Sequence, residues 1–292
     1  MRIMADNSSF YKQILLLENK IFQGLSNTTF LGDVKKSLED FDFASFQGMN
    51  TLRECLPLTR SVTQYYSPTG FGKSNLTLVN NGRFCILLMY MDDLSTEIHN
   101  HPFEGVFTPL KGSPVQLSFT FETHSKVNEF LEVGNLVCSD YKVLPTYAPV
   151  TISKEMIHML ERPKGEQFSL LILRSLEKEY RKNSFYLYPG LKLYNRDGYS
   201  YLSRIISTFQ STNHLEEEPI RNLLGSLEVD ELIQLYFRVG PELASKSMTQ
   251  EEIQFIRNYA KKELTQSRFW EYVEKHSAFL KSTKEKVSVL VR

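Results

Sequence analysis

Hydrophobic positions along this chain change their period twice. From residue 8 to about 50 they recur at helical spacing, as Phe10, Ile14, Leu15, Leu17, Ile21 and Phe22, then Val34, Leu38 and Phe41. From about 51 to 176 the spacing is that of strands. Phe84-Cys85-Ile86-Leu87-Leu88-Met89-Tyr90-Met91 is an unbroken apolar run, and Val115-Gln116-Leu117-Ser118-Phe119-Thr120-Phe121 alternates as a half-buried strand does. Short apolar stretches at 144–152 and 168–173 follow, with Gly105, Gly112, Pro145 and Pro149 as turn residues. From about 198 helical stripes return. Tyr201, Leu202, Ile205, Ile206 and Phe209 form one; Leu223, Leu227, Leu232, Ile233, Leu235, Tyr236 and Phe237 form another. Thr249-Gln250-Glu251-Glu252 is a capping box opening a helix with Ile253, Ile256, Tyr259 and Ala260 on one face. A final helix carries Phe269, Trp270, Tyr272, Val273, Phe279 and Leu280. The aromatic stretch Phe185-Tyr186-Leu187-Tyr188-Pro189-Gly190 reads as a packed connector. The pattern predicts an N-terminal helical region (1–50), an antiparallel barrel or jelly roll (51–176) and a C-terminal helical region (177–292).

Composition narrows the function classes. Basic and acidic residues balance at 34 each, which removes the usual electrostatic footprint of a nucleic-acid binder. No apolar run approaches the roughly eighteen residues that cross a bilayer, so no membrane partner is expected. The first residues lack the apolar core of a signal peptide, and Cys55, Cys85 and Cys138 make no CxxC pair. The expectation is a cytoplasmic protein with reduced thiols, its helical regions packing on the barrel or forming a homodimer.

Candidate chemistry concentrates in Ser95-Thr96-Glu97-Ile98-His99-Asn100-His101, immediately after the apolar run. Residues two apart on a strand project from one face, so both imidazoles can reach one ion. His158, at the start of a later strand, can complete a facial set that leaves positions open for substrate. Neutral imidazole suits iron, nickel, copper and zinc, and an open site predicts an enzyme. His124 lies in a polar stretch and reads as a loop residue. His214 and His276 stand alone and read as surface or capping residues.

The segment Asn81-Gly82-Arg83-Phe84-Cys85-Ile86-Leu87-Leu88-Met89-Tyr90 through His99-Asn100-His101 resembles the cupins, and within them the cysteine dioxygenase (thiol dioxygenase) group. The resemblance covers the central region only. It implies a mainly β cupin jelly-roll core with helical regions on either side, and an iron site held by His99, His101 and His158. Leu58-Thr59-Arg60 resembles the segment bearing an arginine that holds the substrate carboxylate. The general cupin pattern expects a glutamate seven residues before the glycine ending its first motif. Counted from Gly112, that position is Gly105, with Glu104 one residue earlier. Glycine there fits the three-His site of the thiol dioxygenases, which is preferred over three His plus Glu104. The group also carries Ser-x-His-x-Tyr on the strand after the third ligand. Here Ser169-Leu170-Leu171-Ile172-Leu173 keeps only Ser169, which puts cysteine itself in doubt as substrate, and a Cys–Tyr crosslink has no support.

These readings lead to a non-haem Fe²⁺, O₂-dependent cupin oxygenase acting on a small carboxylated, thiol or amino-acid-like substrate. Arg60 would clamp the carboxylate, Tyr90 would line the pocket, and Ser169 or Glu104 would assist catalysis. Two alternatives stand beside it. One is a metal-dependent isomerase or lyase using Zn²⁺, Mn²⁺ or Ni²⁺ as a Lewis acid, with Glu97 or Glu104 nearby. The other is a non-catalytic, ligand-binding cupin.

Overall fold

The computed structural model describes residues 9–24, 30–64, 74–91, 96–162, 168–176, 184–194, 222, 224–238 and 250–290. The helices α1 (Ser9–Gly24), α2 (Phe30–Glu39) and α3 (Met49–Leu58) come first. The strands are β1 (Ser74–Asn80), β2 (Phe84–Met91), β3 (Ile98–His99), β4 (Gly105–Lys111), β5 (Val115–Lys126) and β6 (Leu131–Val143). They continue as β7 (Val150–Ile152), β8 (Ile157–Glu161), β9 (Phe168–Ser175), β10 (Ser184–Leu187) and β11 (Leu191–Tyr194). The helices α4 (Val229–Arg238), α5 (Gln250–Thr265) and α6 (Trp270–Leu290) follow.

Every strand pairing is antiparallel. One sheet runs β1-β2-β9-β4-β7, and the other strands close a ring in the order β10-β11-β6-β5-β8-β3. This is the mainly β jelly-roll core with helices before and after it that the sequence predicts.

The unbroken apolar character of β2 has a packing cause: both of its faces are covered. Phe84, Ile86 and Leu88 pack against Phe10, Ile14, Leu17 and Ile21 of α1 and Val34 and Leu38 of α2. The helical stripe on α1 is therefore the outer lining of the first sheet. Cys85, Leu87 and Met89 point the other way and join Phe107, Leu160, Leu170 and Ile172. Leu160 belongs to β8 in the closed ring, so this second cluster fills the space between the sheets. Each such buried aliphatic side chain contributes roughly 1.5–3 kcal/mol.

The strands extend past residue 176. Phe185 to Leu187 do not form a connector: β10 pairs with β11 on one side and with β3 on the other, and so closes the ring. Four residues are too few to display an alternation that marks a strand. The C-terminal helices cover this part of the barrel. Phe185, Leu187, Leu191 and Leu193 pack with Ile233, Leu264, Phe269 and Val273, while Ile98, Leu117, Phe119 and Met159 share a cluster with Val287 of α6. The stripe at 201–209, Leu223 and the capping residue Thr249 lie outside the described residues. No described helix is long and apolar enough to cross a membrane.

His276 is a further correction. It is buried rather than at the surface, and its Nδ1 accepts the Tyr188 N–H at 3.0 Å. Packed against Phe237 and Phe279, its ring has no solvent for a charged form. Burial pushes its pKa down to about 3 from an ordinary 6.5. Between those values the unfolded chain binds a proton here and the folded chain does not. Stability therefore falls as pH drops below 6.5, by about 2 kcal/mol at pH 5. His276→Gln, which keeps an acceptor for Tyr188, should flatten the stability curve between pH 5 and 7 in urea unfolding. An unchanged slope would refute a buried neutral imidazole.

Candidate metal centre

The site begins with the pairing of two short strands. His99 of β3 stands directly opposite His158 of β8, so both rings leave the same face. Their neighbours Ile98 and Met159 point to the other face, into the cluster that includes Leu117, Tyr186 and Val287. A one-residue slip would bring both histidines into that apolar cluster, which fixes the register. Thr96 clips the strands together: its N–H donates to the Leu160 carbonyl at 2.9 Å, and its hydroxyl accepts the Leu160 N–H at 2.6 Å. Beyond β3, the Asn100 side chain accepts the Ser184 N–H at 2.9 Å, and its own N–H donates to the Ser184 carbonyl at 3.2 Å. Asn100 is thereby held toward β10, and His101 returns to the side of His99.

The three rings converge. His99 lies 4.5 Å from His101 and 4.7 Å from His158 between ring centres. One ligand nitrogen from each of the three falls within 4.8 Å of the others. His101 Nε2 and His158 Nε2 are 2.8 Å apart. Nitrogens bound to one ion at 2.0–2.1 Å and meeting at right angles stand about 3 Å apart, so this spacing fits a shared metal. His99 Nδ1 donates to the Glu97 carbonyl at 2.8 Å, since a carbonyl can only accept. In the neutral ring that leaves the Nε2 lone pair as the ligand atom, oriented by its backbone partner.

Electrostatics agree with that state. Burial holds His99 below the ordinary histidine range, with the Glu97 carbonyl opposing the shift. Burial takes His101 and His158 well below it; the mutual proximity of the rings adds to both, and Arg174 adds to His101. Three neutral imidazoles, each with a nitrogen turned toward the other two, form a donor set suited to a divalent first-row metal. Two buried polar atoms beside them, His158 Nδ1 and Gln116 Oε1, have no hydrogen-bond partner among the described residues. Gln116 and Ser118 share the face of His158, since Ser118 pairs with His158 and Gln116 with Leu160. Phe107, 6.2 Å from His158 between ring centres, closes the apolar side.

The remaining sequence candidates lie elsewhere. Arg60 is exposed in the turn after α3. Tyr90 lies on the outer face of β2, packed on the N-terminal helical core, where its hydroxyl donates to the Gly48 carbonyl at 2.7 Å. Ser169 pairs with Tyr90, and Leu171 and Leu173 of its face also pack on that outer side. The inward residues of β9 are Leu170, Ile172 and Arg174. Among the described residues the metal-type cluster is His99, His101 and His158, without Glu104. The backbone of Glu104 instead exchanges hydrogen bonds with Ser175. His124 is exposed on β5.

Gly105 explains why no acid occupies the position expected of one. A Cβ there would lie 2.5 Å from the Leu173 carbonyl oxygen and 3.3 Å from the Arg174 Cα. Strands β4 and β9 approach too closely for any side chain. Sequence reading passed over Arg174, although a charged residue closing an apolar strand was the available signal. It also passed over Phe103, whose ring centre is 4.8 Å from that of His101.

The barrel is an antiparallel jelly roll with helices before and after it. No family profile and no curated protein matches the chain. Among solved structures it is similar to the DMSP lyase DddQ from Ruegeria pomeroyi DSS-3, at 17% identity and a TM-score of 0.34, over 62% of this chain and 98% of that one. It is also similar to a cupin-2 domain from Rhodospirillum rubrum, at 12% identity and a TM-score of 0.28, over 50% of this chain and 86% of that one. A cupin-2 domain protein from Shewanella frigidimarina matches at 14% identity and a TM-score of 0.23, over 43% and 97%. The fold assignment rests on strand order and register, not on these similarities.

His99→Ala and His158→Ala should each abolish near-stoichiometric metal in elemental analysis, while His124→Ala should retain it. Metal unchanged in His158→Ala would sink the three-histidine centre. Gly105→Ala should push β4 from β9 and cost about 1–3 kcal/mol in denaturant unfolding. Wild-type stability in that variant would mean the strands are not so close.

Proposed function

We propose that the protein is a non-haem Fe²⁺, O₂-dependent oxygenase acting on a small carboxylated molecule of thiol or amino-acid type. The observation that carries this reading is the donor set: three neutral imidazoles converging between the sheets, with no carboxylate in their cluster among the described residues. Ferrous iron held by His99, His101 and His158 would supply the redox chemistry and, with neutral ligands, would keep its full double charge, which favours anionic substrates. The chain's own part is orientation and exclusion of water. Leu170, Ile172, Phe107 and Leu160 make the space beside the histidines apolar. Gln116 and Ser118 offer hydrogen bonds on the His158 side. Holding substrate against the reacting partners makes their encounter effectively intramolecular.

Protein purified without oxygen should contain near-stoichiometric iron and consume O₂ when small thiols or amino acids are supplied. Zinc or manganese without O₂ uptake would transfer the assignment to a metal-dependent isomerase or lyase on the same ligands. No metal after incubation with Fe²⁺ would leave a ligand-binding barrel and overturn the proposal.

A further inference from the structure

One ring nitrogen of the histidine cluster is left over. His158 Nε2 lies 2.8 Å from His101 Nε2, turned to the shared centre. Its Nδ1, on the other side of the ring, is buried and has no hydrogen-bond partner among the described residues. In the metal-free protein the two Nε2 atoms at 2.8 Å can share one proton. With that proton on His158 Nε2, Nδ1 presents only a lone pair. A metal ion held by both Nε2 atoms takes a lone pair from each ring. The one proton of neutral His158 must then sit on Nδ1. Loading the centre therefore turns Nδ1 into a buried donor, and a buried donor without an acceptor is costly.

Gln116 carries the matching group. It is only 6% exposed, on β5, with Leu160 as its register partner. A leucine or valine would fill that position without the cost of burying an amide. The Gln116 Nε2 donates to the Ser118 hydroxyl at 3.4 Å, and Ser118 stands directly opposite His158. The amide is thus drawn along β5 to the His158 side. Its Oε1 is buried, again with no partner among the described residues. A diagonal pair such as Gln116 and His158 has Cβ atoms roughly 7 Å apart, which an amide and a ring span directly or across one water. His99 already has such an arrangement on the neighbouring strand, where Nδ1 donates to the Glu97 carbonyl at 2.8 Å.

We infer that Gln116 is a positioning residue for the metal centre, its side-chain carbonyl receiving the His158 Nδ1–H once an ion is bound. It fixes the tautomer and tilt of His158 as the Glu97 carbonyl does for His99, and it raises the donor strength of Nε2. The inference rests on the three histidines as metal ligands and not on the oxygenase assignment.

Zinc competition against a chromophoric chelator tests this on the full-length protein, with no oxygen chemistry involved. Gln116→Met, which keeps the length and removes the acceptor, should weaken zinc binding roughly tenfold or more. Gln116→Glu, which keeps an acceptor, should bind at least as tightly as the wild type. Denaturant unfolding of the metal-free proteins separates a structural role. Packing alone would lower the midpoint of Gln116→Met and leave its zinc affinity unchanged, which would overturn the inference. The wild type supplies a test that needs no variant to fold. In isotope-labelled, zinc-loaded protein, NMR should place the His158 ring proton on Nδ1, exchanging slowly with water, and faster in Gln116→Met. A proton on Nε2, or fast exchange in the wild type, would overturn the assignment. A wild type that binds no zinc overturns the centre and this role together, whereas iron bound without O₂ uptake overturns the oxygenase reading alone.

Discussion

Strand β9 is paired along its whole length on both sides, from Phe168 opposite Met91 to Ser175 opposite Phe84, and from Ser169 opposite Lys111 to Arg174 opposite Gly105. Its register decides which side chains face the helices and which face the second sheet. Leu171 and Leu173 lock into the packing of α1 and α2, so Leu170, Ile172 and Arg174 must look inward. A slip by one residue would place a guanidinium under the helices and turn Ser169 and Ser175 toward the space between the sheets. The helices α1 and α2 are thus more than a cover, because their apolar stripes determine the phase of the strands beneath them.

The same two-sided burial limits what could be read beforehand. His99 and His101 were legible because their spacing implies a common face whatever lies around them, and His158 because it opens a separate apolar strand. The parity of β2 and β9 was not legible. With both faces apolar, alternation carries no mark of inside or outside, and Tyr90 and Ser169 fell on the wrong side for a pocket. Arg60 rested on resemblance alone, which says nothing of where a turn after a helix points. The flanking helical regions declared themselves through long amphipathic repeats. The hairpin β10–β11 did not, because strands of four residues show too little periodicity. His276 looked like a surface group because one polar residue on a helix cannot say whether a neighbouring segment covers it.

Neutrality of the histidines follows from where the barrel puts them. Burial, mutual proximity and a nearby guanidinium all oppose protonation of His101, while the Glu97 carbonyl fixes the tautomer of His99. Among the described residues no carboxylate joins the three histidines, and Gly105 leaves no room for one at its own position. Steric closeness of two backbones has thereby become an electrostatic property of the centre.

Strand β3 is two residues long and has two neighbours, β8 and β10. His99 faces His158 on one side and Phe185 on the other, and Phe185 belongs to the cluster built with Ile233, Leu264 and Phe269. One residue thus joins the donor set to the packing of the last three helices. The described C-terminal helices pack on the strand that flanks His99, so the donor set and the helical cover share one neighbour, Phe185.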